Sequence, residues 1–456
     1  MSKTRLDLDD IQGLLARGYG GLRFATFLLL AVEDPRAAGR TLGGWMTQLT
    51  TAARRPGETA LNLALTAAGI EALAPGTAGT AGFSEQFSSG MTTGYRSRLL
   101  GDTEDDDPHG WDWGAPGTDT VHVLLLVYAD SAERLATRCA ELTAEAGSGE
   151  LRVLHQLATS ELKLQENFGF HDGISQPPIE GLGNGPAAGA VRAGEFVLGY
   201  PNEYGLLTDR PLLPPDADPA GILPRESGIG APDLGRNGSY LVLRTLRQDV
   251  GAFHAFTEAA TRDAAGRPDP ERQALLGAKM VGRWPSGAPL SLSPTHDDPS
   301  LADSNDFAYH SNDPRGMACP LGSHVRRTNP RDSLEPQPGT DASLAINRRH
   351  RLLRRGRSYG SPDGDCGVHF ICLNANLARQ YELVQHTWVN NPVFNQLENE
   401  TDPLVGTRRA KRSYFTTPAR PARRRYAELP QFVHVRGGAY FFLPGLRALK
   451  FIAQGG

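Results

Sequence analysis

An α+β fold of two ferredoxin-like units, each ordered β-α-β-β-α-β with an antiparallel sheet, is what this sequence predicts. Three observations carry that expectation. Strand-sized apolar runs alternate with helix-sized amphipathic stretches in the first half, and the same order returns in the second half. The chain has 456 residues, more than one hydrophobic core ordinarily uses. Two long stretches rich in Gly, Pro and Asp, residues 181–236 and 284–316, interrupt the pattern.

The elements follow in order. Residues 24–30 read as a buried strand, and Asp34-Pro35 opens a helix running to about residue 51. Strands are expected over 59–65 and 121–127, a helix over 131–146, and a further strand from Leu151. The second unit begins with a strand over 239–246 and a helix over 249–261. Strands over 351–354 and 368–373, a helix over 377–388, and strands over 432–436 and 440–443 complete it. The halves show no close sequence repeat, so the duplication rests on element order. The expected division is 1–210 and 211–456. The Gly/Pro stretch 181–236 should wrap the surface between the halves, and 284–316 should cover or line a site.

Composition excludes several classes. A formal charge of -4 gives no reason to expect nucleic-acid binding, and no apolar run approaches the roughly 20 residues of a membrane-spanning helix. The N-terminus shows neither a signal-peptide core nor twin arginines. Four scattered cysteines form no CxxC pair, which favours a reducing cytoplasm. Assembly into a homo-oligomer is left open.

Two segments stand out chemically. Gly169-Phe170-His171-Asp172-Gly173 places a carboxylate on a glycine-bracketed turn, which Pro177 and Pro178 help hold still. An aspartate capping its own turn is the commoner role of such a residue. His324 sits in the basic run His324-Val325-Arg326-Arg327-Thr328-Asn329-Pro330-Arg331, where a neutral imidazole suits a metal as well as it suits a loop hydrogen bond. In Leu352-Leu353-Arg354-Arg355, strand alternation puts Leu352 and Arg354 on one face. An arginine there is either an exposed edge or a fixed positive charge beside a carboxylate.

Together these segments resemble the dye-decolourising haem peroxidases, in the larger-member subgroup. The GxxDG turn at 169–173 with Ile174-Ser175-Gln176-Pro177, the His324 segment, and Leu353-Arg354-Arg355-Gly356 with Tyr359-Gly360 match the family's motifs. So do Asn237-Gly238-Ser239-Tyr240, Thr387-Trp388-Val389-Asn390-Asn391-Pro392 and Arg436-Gly437-Gly438-Ala439-Tyr440. The resemblance runs from about Asp9 to the C-terminus. It implies one haem b per chain, held mainly by the C-terminal half and ligated through its iron by His324. It also implies a distal catalytic pair, Asp172 and Arg354, and hydrogen peroxide with small aromatic donors as partners. The reaction implied is one-electron oxidation of phenolic or dye-like donors through a ferryl intermediate. A pathway-specific haem oxidant and a non-catalytic haem carrier are the alternatives. Retention of both Asp172 and Arg354 speaks against the carrier.

Further expectations follow. Gly169, Phe170 and Gly173 should lie against the haem with their turn. Glu382 is the candidate acceptor for the second ring nitrogen of His324. Arg326 and Arg331 are candidates for the haem propionates. Val368 and Phe370, in Gly367-Val368-His369-Phe370, should face the haem, leaving His369 on the other face. Val368 stands where the family usually has leucine, which opens the pocket slightly. His171 should point away from the face Asp172 uses. Burial should raise the Asp172 pKa and Arg354 should lower it. The acidic run 102–107 and the arginines of 420–425 read as solvated surface, and Trp388 and Tyr440 as core.

Overall fold

In the first unit, β1 (Phe24–Val32), β2 (Thr59–Leu65) and β3 (Val123–Ala129) are buried along nearly their whole length. Continuous apolar runs of this kind are what a sheet covered on both faces requires. The edge strand β4 (Leu151–Ala158) is mostly half-exposed. Helix α1 (Pro35–Trp45) starts at Asp34, whose side chain accepts the N–H groups of Arg36 and Ala37. Helix α2 (Ala132–Glu145) starts at Ser131, which caps Arg134. The strands pair antiparallel in the order β4-β1-β3-β2, the ferredoxin-like order. These statements describe a computed structural model covering residues 5–77, 82–147, 149–183, 189–408 and 413–456. Residues 1–4, read above for targeting signals, and 184–188 of the Gly/Pro stretch lie outside it.

The second unit repeats the scheme. β5 (Ser239–Gln248) leads through Asp249, an N-cap, into α3 (Val250–Thr261), followed by α4 (Pro270–Val281) and the short α5 (His324–Thr328). A broken strand, β6 (Leu353–Arg354) and β7 (Arg357–Gly360), precedes β8 (Cys366–Asn374). A small hairpin of β9 (Tyr414–Thr417) and β10 (Arg424–Ala427) forms its own two-stranded sheet ahead of β11 (Val433–Leu443). The order β11-β5-β8-β6 reproduces that of the first unit, and one residue pair, Leu65 with Phe442, joins the two into a nine-stranded sheet.

Local departures from expectation have local causes. The strand expected over 351–354 starts at Leu353 and breaks at 355–356. There Gly356 lies so close to β8 that a Cβ would fall 2.8 Å from the His369 carbonyl oxygen. The two strands expected over 432–443 are one, with a register shift between Val435 and Gly437. The helix over 377–388 is wound in wide π turns, with Glu382 N–H bonding Leu377 and Asn390 N–H bonding Gln385. Residues 181–236 do more than wrap the surface. Leu198, Leu213 and Leu234 enter the core on one side of the sheet, and Val191, Phe196 and Tyr200 enter it on the other. Among the described residues no helix is long and apolar enough to cross a membrane.

His369 illustrates what this burial does to a titrating group. It is 4% exposed, between Thr245 Oγ1 (3.1 Å) and the Ala158 carbonyl (3.2 Å), with its ring stacked on Tyr359. Burial pushes its pKa down to about 4, against the Ala158 hydrogen bond. The unfolded chain takes up a proton near pH 6.5 that the folded chain refuses until about pH 4. Stability therefore falls as pH drops through that window, by on the order of 3 kcal/mol from this residue. Denaturant unfolding at pH 7 and pH 4.5 checks this: His369→Gln should lose less stability between the two than the wild type does.

Candidate active site

A cavity of about 290 Å³ opens between the second-unit sheet and the segments packed over it. Leu246, Val368, Phe370, Val433 and Val435 line it from β5, β8 and β11. His324, Val325, Thr328, Val384 and Leu404 line it from α5, the π-helical segment and the loop beyond.

His324 opens α5, and Thr328, one turn on, shares its face toward the cavity. Its Nδ1 lies 2.9 Å from Oδ2 of Asp402, whose other oxygen accepts the N–H groups of Leu404 and Val405. The Asp402 side chain is 0% exposed. Burial disfavours a charged imidazole, but the Asp402 charge and hydrogen bond outweigh it and hold the His324 pKa above the ordinary range. Burial likewise works against ionised Asp402, and His324 and Arg327 overcome it to keep that carboxyl low. The second ring nitrogen, Nε2, is left to the cavity. Asp402, not Glu382, is thus the partner of His324. Glu382 is buried elsewhere, both its oxygens accepting from Arg96 Nη1 (2.7 and 2.9 Å) and Oε1 also accepting the Tyr440 hydroxyl (2.9 Å).

Asp172 and Arg354 meet at the cavity, Arg354 Nη2 standing 3.3 Å from Asp172 Oδ1. The same Oδ1 accepts the Gly173 N–H at 2.6 Å, so the turn does cap itself, and Oδ2 stays free of both contacts. Asp172 is 65% exposed, so the burial expected of it is not there. Arg354 is placed by β6 through its pairing with Cys372 and by its own N–H, which donates to Gln176 Oε1 at 3.0 Å. Leu352 shares its face into the cavity, whereas Leu353 is core and Arg355 turns back to the carbonyls of Leu14 and Leu15.

Other expectations divide. Val368, Phe370, Phe170 and Gly173 line the cavity; Gly169 does not. Its part is conformational, with φ +93° and its N–H on the Glu166 carbonyl. His171 also reaches the cavity wall, with Nδ1 3.1 Å from the Ser286 carbonyl oxygen, contrary to its expected orientation. Residues 171–173 turn rather than continue as a strand, so alternate side chains need not face opposite ways. Arg326 is absent from the cavity. Lying two residues beyond His324 on α5, it points the other way, into Asp313 and the Cys319 carbonyl, with its guanidinium over Tyr309. Arg331 does line the cavity, beside Arg351. Of the acidic run, Asp102 and Asp106 are buried: Asp102 pairs with Arg244 on the cavity wall, and Asp106 accepts the Val435 N–H. The arginines at 420 and 423–425 are exposed as expected, and Trp388 and Tyr440 are buried.

Residues that were not anticipated matter as much. Arg351 donates to the Ser175 carbonyl, and no acidic group is paired with it or with Arg331 among the described residues. Burial, with the charges of Arg331 and Arg354, pushes the Arg351 pKa down to about 9. Arg331 Nε is buried with no hydrogen-bond partner. Two guanidiniums with no carboxylate in salt-bridge contact among the described residues, at a mostly apolar cavity, suit a ligand that is flat and greasy at one end and anionic at the other.

Comparison with known proteins agrees with that geometry. Residues 229–421 match the family described as "Dyp-type peroxidase, C-terminal". A dye-decolorizing peroxidase of Mycena epipterygia is 30% identical over 98% of this chain and 87% of its own length. The peroxidase AauDyP1 of Auricularia auricula-judae is 28% identical over the same shares. Among solved structures, an ancestral D-type dye decolorizing peroxidase superposes with a TM-score of 0.79 at 28% identity, covering 98% of this chain and 99% of its own. A dye-decolorizing peroxidase in complex with 2,6-dimethoxyphenol does so with a TM-score of 0.77 at 26% identity, covering 98% and 100%. Fold and relatives define a haem-dependent peroxidase. The chain belongs to the dye-decolorizing peroxidase family.

Proposed function

We propose that His324 would ligate the iron of one haem b per chain through Nε2, and that Asp172 and Arg354, which line the same cavity, handle hydrogen peroxide there. The observation that carries this reading is the pairing of His324 Nδ1 with Asp402, which turns Nε2 toward the cavity that Arg354 and Asp172 share. The surroundings fit the group: Val368 and Phe370 offer apolar contact, and Arg331 and Arg351 offer charge to its propionates. When bound, the haem supplies redox chemistry, accepting two oxidising equivalents from peroxide and passing them to donors one electron at a time.

The protein's share is proton handling and charge placement. Asp172 Oδ2 would take the proton from one peroxide oxygen and return it to the other as the O–O bond breaks. Oδ1 stays anchored by Gly173 and Arg354 meanwhile. The Arg354 guanidinium steadies the negative charge that builds on the departing oxygen. Asp402 holds His324 in the tautomer that presents Nε2 and strengthens it as a ligand. Asp402→Asn keeps the shape and loses the charge, so haem affinity should fall about 10–100-fold in a titration followed at the Soret band.

Phenolic and dye-like donors are the substrates this reading assigns, supported by the family and by the 2,6-dimethoxyphenol bound to a relative. Residues 1–210 supply the Asp172 turn in this scheme, and 211–456 supply the haem-holding unit. The four cysteines are free and buried, which supports a reducing compartment such as the cytoplasm. Peroxide added to the haem-loaded protein tests the whole. A rapid Soret change followed by bleaching of dye or oxidation of 2,6-dimethoxyphenol is expected. Haem binding with no spectral response to peroxide would overturn it.

A further inference from the structure

The loop that presents Asp172 is held by more than its glycines. Glu166 Oε2 accepts the Phe168 N–H (3.1 Å) and the Gln248 Nε2–H (2.7 Å), and Oε1 accepts the Phe170 N–H (3.1 Å). The main chain closes the same loop, with Glu166 N–H on the Phe170 carbonyl and Gly169 N–H on the Glu166 carbonyl, both at 2.9 Å. Next to it, Asn167 Nδ2 donates to Gln248 Oε1 (3.0 Å) and to the Gly367 carbonyl (2.9 Å). Gln248 ends β5 and Gly367 lies at the start of β8, the two strands that wall the cavity. Glu166 itself lines that cavity.

We propose that Glu166 is a positioning residue for Asp172, its carboxylate clamping loop 166–173 to the end of β5, with Asn167 tying the same loop to β8, so that Asp172 stands beside Arg354. The inference rests on the role given to Asp172 above. The path is short: a β-bridge pairs Gln165 with His171, and Asp172 N–H donates to the Leu164 carbonyl at 3.0 Å. Movement of residues 166–170 therefore carries 171–172 with it. Gly169 and Gly173 both have positive φ and no side chain to pack, so the loop needs an outside anchor. A carboxylate suits the task because its two oxygens can accept three N–H groups at once, whereas an amide offers one oxygen and turns an NH₂ toward the donors. Burial, with the Asp172 charge, holds the Glu166 carboxyl above the usual range, and the three hydrogen bonds offset only part of that rise.

Glu166→Gln, compared in the wild-type and Asp172→Asn backgrounds of the haem-loaded protein, tests this. Displacing Asp172 by a fraction of an ångström should slow the bimolecular reaction with peroxide by about tenfold or more. The KM for 2,6-dimethoxyphenol should stay within about twofold, since only the peroxide step is affected. A residue acting through Asp172 adds nothing once Asp172 is gone, so the double variant should match Asp172→Asn alone. In the haem-free protein, amide hydrogen exchange should quicken at 166–173 and stay unchanged within β5 and β8. A wild-type peroxide rate in Glu166→Gln, a further loss in the double variant, or exchange quickened evenly along the chain would each overturn the proposal. An unimpaired Asp172→Asn would instead sink the role of Asp172. A slow Asp172→Asn beside a normal Glu166→Gln sinks that of Glu166 alone.

Discussion

Replacing His324 by alanine leaves a protein that no longer retains haem: mixed with one equivalent, it shows the spectrum of free haem and no peroxide response. Two effects add. The only imidazole nitrogen offered to the cavity from α5 is lost, and Asp402 becomes a buried carboxylate without its main partner. Stranding a buried charge in this way costs about 3–5 kcal/mol. The Leu404 and Val405 N–H groups, which remain on Asp402, soften that cost. Lower thermal stability of the haem-free variant should accompany the loss of binding. A variant that kept full haem affinity with an unchanged Soret spectrum would show that another residue ligates the iron.

Asp172→Asn has the second-largest effect and a different character. The asparagine oxygen can still accept from Gly173 and Arg354, so the turn keeps its shape. What is lost is Oδ2 as the proton acceptor proposed above. General-base catalysis of this kind is worth about 10²–10⁴-fold, and the rate constant for the first spectral change after peroxide should fall by that factor. Haem affinity and stability should hardly move, because Asp172 is exposed and its pair with Arg354 is worth little to folding. Stopped-flow mixing across acid pH decides the matter. Equal rates for variant and wild type there would remove Asp172 from the proton step.

Much of this was legible in the chain, for a physical reason. A ferredoxin-like unit is read from element order, and the apolar runs at 24–30 and 59–65 fell where β1 and β2 lie because strands covered on both faces must be apolar throughout. Asp172, His324 and Arg354 stood out because each sits in a local motif. Asp402 did not. It lies in the polar run Glu398-Asn399-Glu400-Thr401-Asp402, which looks like surface until the fold buries it under α5. Glu382 invited the role of histidine partner by its helix, and the structure commits it to Arg96 and Tyr440 instead. Asp102 and Asp106 show the same limit: an acidic run reads as solvated, yet two of its members face Arg244 and the β11 backbone.

Element order and local motifs were enough to specify the doubled α+β architecture, the family resemblance and three segments carrying an acid, a cation and an imidazole. Periodicity and turn chemistry act over a few residues, so they can be read without the fold. Packing of distant segments in the folded chain set who partners whom. It gave Asp402 to His324, left Arg331 and Arg351 out of salt bridges with any described carboxylate, turned Arg326 away, and brought His171 to the wall. Those outcomes depend on contacts between segments far apart in the chain. A buried charge or polar group takes whatever partner the packed backbone brings within hydrogen-bond reach, and no local pattern records that choice.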